Sequence, residues 1–253
     1  MKKNVVYWAC DFETTVWGEE IEKIKGTQKT TEVWSAADVK LFDDTENVTI
    51  SHSIRDFIER FLEVDGNNIL YFHNLSFDGS FIVDFLLKNN YVFTMSKDSE
   101  MKSFQFKTCI SDMGQWYWIK VKRNKKLLEI RKSLKLLRSS LNRIAVDFKT
   151  KHKKLDMVYE GERYAYCDIK DNEKKYIEND VLVLKEALEM MFKSGHNKLT
   201  IGACCINEYK SLCGNKDFDR LYPDIHNDFL DEKYCGVWDM WSYVHKSYHG
   251  GWC

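Results

Sequence analysis

Apolar and polar positions follow two different periods along this chain, and each change of period marks an element. Val5 to Cys10 is a short apolar run, β-branched and aromatic, with no helical spacing. It predicts a buried strand over residues 4–11. Lys29 to Leu41 alternates, with Thr31, Val33 and Ser35 on one side and Trp34 on the other, and predicts a second strand. Asn47 to Ser51 predicts a third, and the short polar turns between them suggest an antiparallel meander. At Ser53 the period becomes helical. Ile54, Phe57, Ile58, Phe61 and Leu62 share one face, and Ser53 stands where an N-cap belongs. Asn68 to His73 is again a continuous apolar strand. The helix after it carries Phe81, Ile82, Phe85 and Leu86 on one face.

Aromatic alternation from Phe93 to Lys122 predicts one or two hairpin strands. Lys120 to Lys126 is basic and reads as a turn or an exposed edge. Leu127 to Ile130 predicts a strand leading into Ser133 and Leu134, and a short helix is expected over about Ser139 to Phe148. Lys149, Lys151, His152, Lys153 and Lys154 then form a basic run, which suits either a solvated loop or a phosphate backbone. The longest helix is expected from Asn172 to Ser194. Tyr176, Val181, Leu184, Leu188 and Met191 form its stripe, and Gly195 ends it. A further helix, Ile201 to Leu212, stops at Cys213-Gly214, and the remainder is irregular. Strands first, then strand–helix alternation, then a long helix make an α/β fold with a mixed sheet.

Length and composition narrow this only a little. A chain of 253 residues suits one large domain, or a domain with an appendage. Basic and acidic side chains nearly cancel, 38 against 39, which excludes a bulk polycation and leaves room for a local basic groove. No long apolar run suggests a membrane span, and the first residues lack the pattern of a signal peptide. The eight cysteines form no CxxC pair, so a zinc ribbon is not expected. They read as reduced thiols in a cytosol.

The candidate chemistry lies in carboxylates. Asp11 and Glu13 are two apart on a strand, so they project together. Like charges that close repel unless a cation or a proton sits between them. Asp78 opens the helix after the fourth strand. Tyr176 and Asp180, four apart on the long helix, share a face. Convergence of these groups would suit two divalent cations, Mg²⁺ or Mn²⁺, about 4 Å apart on a phosphodiester. Each also has an ordinary reading: solvated carboxylates at a strand end, an N-cap at Asp78, a packed ring at Tyr176.

These residues carry a resemblance. DFETT at 11–15, HNLSFDG at 73–79 and YIEND at 176–180 resemble, in order and rough spacing, the three motifs of the DEDD-type, tyrosine-variant 3′→5′ proofreading exonucleases. The chain is most similar to the exonuclease domain of protein-primed, bacteriophage-type family B DNA polymerases. Ser133-Leu134 resembles that group's single-strand-binding Ser/Thr-Leu motif, and Lys154 to Met157 its Lys-x-x-hydrophobic motif. Tyr248-His249-Gly250-Gly251 resembles the Tyr-x-Gly-Gly linker that precedes the polymerase domain.

The resemblance implies a ribonuclease H-like mixed sheet flanked by helices. It implies Asp11, Glu13, Asp78 and Asp180 as ligands of two metals, Tyr176 as the group that places water, and Lys154 as a catalytic support. Thr14, Asn74, Phe77, Ser133, Leu134 and Tyr159 would hold the 3′ end of a single DNA strand. His73, Phe81, Tyr248, Gly250 and Gly251 are further implied contacts to the strand or to a terminal protein. Residues 1–199 would be the exonuclease domain, and 200–253 a helical and irregular linker to a polymerase palm. The sequence runs two residues past Gly251, so the expectation is a split gene's exonuclease part, or a truncated polymerase, with a separate polymerase chain as a partner. The rival expectation is a catalytically weak DNA- or terminal-protein-binding module. No residue pattern separates DNA from RNA as substrate.

Overall fold

The structure is a computed structural model and describes residues 5–16, 31–64 and 66–222. Eight strands form one sheet in the order β3-β2-β1-β4-β8-β7-β6-β5. They are β1 (Val5–Thr14), β2 (Val33–Lys40), β3 (Val48–Ser51), β4 (Asn67–Phe72), β5 (Val92–Phe93), β6 (Gln105–Ile110), β7 (Trp116–Arg123) and β8 (Lys126–Lys132). β1, β4 and β8 run parallel, β2 and β3 continue antiparallel from β1, and β7 and β6 continue antiparallel from β8. The helices are α1 (Ile54–Glu63), α2 (Leu75–Lys88), α3 (Leu141–Asp147), α4 (Asp171–Lys193), α5 (Ile201–Cys213) and α6 (Asn215–Leu221).

Side-chain alternation on the central strands builds a core on each face. Cys10, Phe12, Leu70 and Phe72 pack with Phe57, Ile58 and Phe61 of α1 and Ile82 and Phe85 of α2. Ala9, Ile69 and Tyr71 face the other way, against Ile144 of α3 and Val181, Leu184 and Leu188 of α4. The result is a helix–sheet–helix sandwich with a mixed sheet, as the pattern of periods predicts. Ser53 caps α1 by accepting from the Asp56 N–H at 3.1 Å, and Gly195 lies beyond α4 at φ +84°. No described helix is long and apolar enough to cross a membrane.

The chain divides into two compact units after Cys204. Within the described part of the second, the rings of Tyr209, Phe218 and Tyr222 meet at centroid distances of 5.0–6.1 Å.

Several expectations are corrected. β1 continues to Thr14, so Asp11 and Glu13 stand within a paired strand, opposite Ala37 and Ser35 of β2, and the ladder is irregular only between Glu13 and Thr14. Lys120, Lys122 and Arg123 belong to β7; the turn itself is Asn124-Lys125, with Asn124 at φ +54°. Lys120 is held there by Asp98 at 2.6 Å. A short helix, α6, follows Gly214 where irregular chain is expected. Tyr248, Gly250 and Gly251 lie outside the described residues.

Gly79 in the first turns of α2 ties this fold to the site described next. A Cβ there would stand 2.8 Å from Cζ3 of Trp116 and 3.3 Å from Ile119. Gly79→Ala is expected to lower stability by about 1–3 kcal/mol, the usual penalty of overpacking, read from the urea midpoint. Pairing it with Trp116→Leu should recover part of the loss; no loss in the single variant would show that α2 is not seated this closely.

Candidate active site

β1 delivers Asp11 and Glu13 from the same face as Ala9, the face covered by α4. α4 runs across that face and presents Tyr176 and Asp180 one turn apart. Carboxylate oxygens of Asp11, Glu13 and Asp180 all lie within 4.8 Å of one another. Asp78, in the first turn of α2 on the opposite layer, is buried at 3% exposure and stands outside that 4.8 Å group, near enough to act on it by charge. Its charge bears directly on Asp11, and that of Glu13 bears on Asp78.

This proximity has an electrostatic consequence. At an effective dielectric of about 20, two full charges so placed repel by roughly 3–4 kcal/mol. Burial adds to the repulsion and pushes every carboxyl of the group upward. Asp11 rises well above its ordinary value through burial and then through Asp78, Glu13 and Asp180. Burial lifts Glu13 to about 7 against the hydrogen bond from Tyr159, and Asp78 to about 7 with help from Glu13. Asp180 also rises through burial, opposed by Lys154.

Asp180 is 3% exposed, and its Oδ1 has no hydrogen-bond partner. A buried carboxylate oxygen without a partner calls for a cation. All four side chains offer hard oxygen donors, which fits Mg²⁺ or Mn²⁺.

Lys154 donates to Asp180 Oδ2, and at 3.3 Å to the Tyr176 hydroxyl. Burial alone would lower the Lys154 pKa. The hydrogen bond and charge of Asp180, with Tyr176, outweigh it and the net shift is upward. Tyr176 is itself pushed up by burial and by Asp180. The Tyr159 hydroxyl donates to Glu13 Oε2 at 2.7 Å, and its ring sits edge-on to Trp34 and Tyr176.

The remaining motif residues sort into exposed and interior ones. Phe77 is 47% exposed and meets Phe81 edge-on at 5.3 Å. Asn74 is exposed at the N-cap of α2, Thr14 is half-buried at the end of β1, and Leu134 is half-buried. Ser133 and His73, expected at the strand, are interior. His73 Nε2 faces the carbonyl of Ser139 at 2.8 Å, so it carries the proton, and Nδ1 accepts from the Ser133 hydroxyl at 3.0 Å. Burial also depresses the imidazole pKa. A neutral ring with both nitrogens occupied clamps the loop after β8 and has no polar atom left for a nucleic acid.

The basic run is largely paired, although Lys149, Lys151 and Lys153 remain exposed. Lys151 pairs with Glu46 at 3.0 Å, His152 with Glu186, and Lys153 donates to the carbonyls of Ala145 and Thr150. Of the run, Lys154 is the member that turns to the carboxylates.

Sequence reasoning also missed a strap. Val16 and Arg163 exchange backbone hydrogen bonds, and the buried Arg163 side chain is held by Glu173 at the start of α4. The strap brings the loop carrying Tyr159 over Glu13. Nothing in the spacing of Val16 and Arg163 signals it.

Without metal, Glu13 and Asp78 retain protons near pH 7 that the unfolded chain has released, so the native state binds more protons and stability falls as pH rises from about 4.5 through about 7. Melting in EDTA should therefore drop between about pH 5 and about pH 8. Mg²⁺ should restore it most at the upper end, because ligands bind metal only when deprotonated. Asp11→Asn should raise the melting temperature in EDTA at about pH 8 and leave it unchanged at about pH 4. An EDTA profile that is flat or rises with pH contradicts the crowding of these charges.

A family model described as DNA polymerase type B, organellar and viral, matches residues 64–167. The DNA polymerase of Bacillus phage phi29 is 34% identical over 223 residues, 86% of this chain and 36% of that protein. The DNA polymerase of Streptococcus phage Cp-1 is 30% identical over 241 residues, 90% of this chain and 37% of that one. The chain thus spans well under half the length of these relatives. A solved structure of phi29 DNA polymerase complexed with single-stranded DNA superposes with a TM-score of 0.71 at 32% identity, over 85% of this chain and 36% of the other. The shared architecture is the ribonuclease H-like α/β fold. Motifs, topology and relatives agree, and the chain matches in sequence and fold the exonuclease-domain region of protein-primed, phage-type family B DNA polymerases.

Proposed function

We propose that the chain is a metal-dependent 3′→5′ exonuclease that trims single-stranded DNA ends as the proofreading part of a protein-primed replicative polymerase. The main support is the convergence of Asp11, Glu13 and Asp180 oxygens within 4.8 Å, with one buried Asp180 oxygen unpartnered. In this reading Asp11, Glu13, Asp78 and Asp180 hold two divalent cations. Such a pair supplies a water-derived nucleophile and neutralises charge on the departing 3′ oxygen. Tyr176 keeps its proton at neutral pH, since burial and Asp180 both push its pKa up. It therefore orients the attacking water by hydrogen bonding and does not act as a base. Lys154, fixed between Asp180 and Tyr176, offsets phosphate charge. A bond forms from the water oxygen to phosphorus, the bond to the 3′ oxygen breaks, and a nucleoside 5′-monophosphate leaves.

The exposed ring of Phe77, backed by Phe81, offers a stacking surface for unpaired bases without reading sequence. Thr14, Asn74, Leu134 and Tyr159 surround the 3′ end. Ser133 and His73 act from within by fixing the loop that carries Leu134. In the same reading residues 1–199 are the catalytic domain, and 200–253 lead toward a polymerase palm. A terminal protein is a further partner, and the host cytoplasm is the place of action.

End-labelled single-stranded DNA incubated with Mg²⁺ should release mononucleotides, and EDTA should stop release. Asp11→Ala combined with Asp180→Ala should abolish it, while Tyr176→Phe should slow it by about 10²-fold, as misplacing a reactant does. Activity that survives the double substitution would overturn the assignment.

A further inference from the structure

Lys132 is the last residue of β8 and pairs with Phe72 of β4, so its side chain stands beside the turn by which β4 enters α2. It is 8% exposed, and among the described residues no carboxylate lies within ion-pair distance of it. Its amino group donates to the Ser76 hydroxyl at 2.7 Å. Burial, and then the neighbouring charge of Lys135, push its pKa down. Its stem is buried, and its part-buried amino group, with no anion to meet, is directed at a hydroxyl.

What the ammonium does there follows from its donors. It has no lone pair to offer, so Ser76 Oγ must accept from it. The Ser76 proton then goes to the side-chain oxygen of Asn74 at 3.1 Å, and Ser76 Oγ has no other side-chain or backbone partner among the described residues. The orientation of the Asn74 amide is thereby set, with oxygen inward and nitrogen outward. A second observation agrees. Asn74 occupies the N-cap of α2, where its oxygen would ordinarily accept from the helix N–H groups. It makes no such bond, although Ser53 and Ser140 both do at their helices.

We infer that Lys132 and Ser76 are positioning residues that hold the Asn74 amide with its NH₂ group outward, as a hydrogen-bond donor to a backbone phosphate oxygen of the bound single strand. The inference rests on the strand-binding reading above.

The test is anisotropy of a fluorescein-labelled oligodeoxythymidylate in EDTA, at several salt concentrations. Lys132→Met and Ser76→Ala should each weaken binding about three- to tenfold, as loss of one hydrogen bond does. The double variant should lose no more than either single one, and Ser76→Thr should bind as the parent does. The slope of log Kd against log salt should not change. Unaltered affinity in Ser76→Ala overturns the inference. So does a slope shallower by about 0.7 in Lys132→Met, which would mean that the lysine itself meets a phosphate. Should Lys132→Met fail to fold, Ser76→Ala and Ser76→Thr carry the test alone. Hydrolysis in Mg²⁺ is scored separately. The expected binding pattern without hydrolysis would sink the exonuclease and keep the relay, and hydrolysis with unchanged affinities would do the reverse. A parent chain that does not bind the strand ends both.

Discussion

Carboxylates that repel one another stay together only where the surrounding structure holds them more strongly than they push apart. That constraint governs one end of this sheet. β1 is paired with β4 as far as Cys10 and with β2 on through Asp11 and Glu13, so the backbone that carries the two carboxylates is held in the sheet. α4 is anchored over them by Val181, Leu184 and Leu188, which are almost fully buried. Asp180 therefore meets the strand carboxylates at a distance fixed by the core. Burial of each such side chain is worth about 1.5–3 kcal/mol, enough together to exceed the repulsion of a charge pair.

Two layers contribute to one electrostatically coupled group by different means. The α4 side supplies Asp180, Tyr176 and, through the loop before it, Lys154 and Tyr159. The α2 side supplies Asp78 from its first turn, where a helix N-terminus favours negative charge. The inter-element contacts that aim these groups are themselves polar and buried: Arg163 with Glu173, and His73 with Ser133 and Ser139. Fully satisfied networks of this kind rigidify the loops that carry them.

The layout separates charge from exposed aromatic surface. The carboxylates are buried or half-buried, whereas Asn74 and Phe77 at the start of α2 are exposed. The basic run at Lys149–Lys154, which reads as a phosphate track along the chain, is mostly paired with Glu46, Glu186 and backbone carbonyls. Only its last member points at the carboxylates.

Much was legible in the chain itself. Periods of two and of 3.6 depend on neighbours a few residues away, so the strands around Val5 and Ile69, the helix capped by Ser53 and the helix read from Asn172 could be read locally. The shared face of Asp11 and Glu13, and that of Tyr176 and Asp180, follow from the same local geometry. What no local pattern contains is which distant groups meet. His73 reads as a ligand until Ser133 and Ser139 take both its nitrogens. The pairing of Val16 with Arg163, and the chain of donors from Lys132 to Asn74, exist only because β8 lies beside β4. Backbone geometry set the direction of each side chain; the stacking of α2 and α4 on opposite faces of one sheet decided which charges had to share a space.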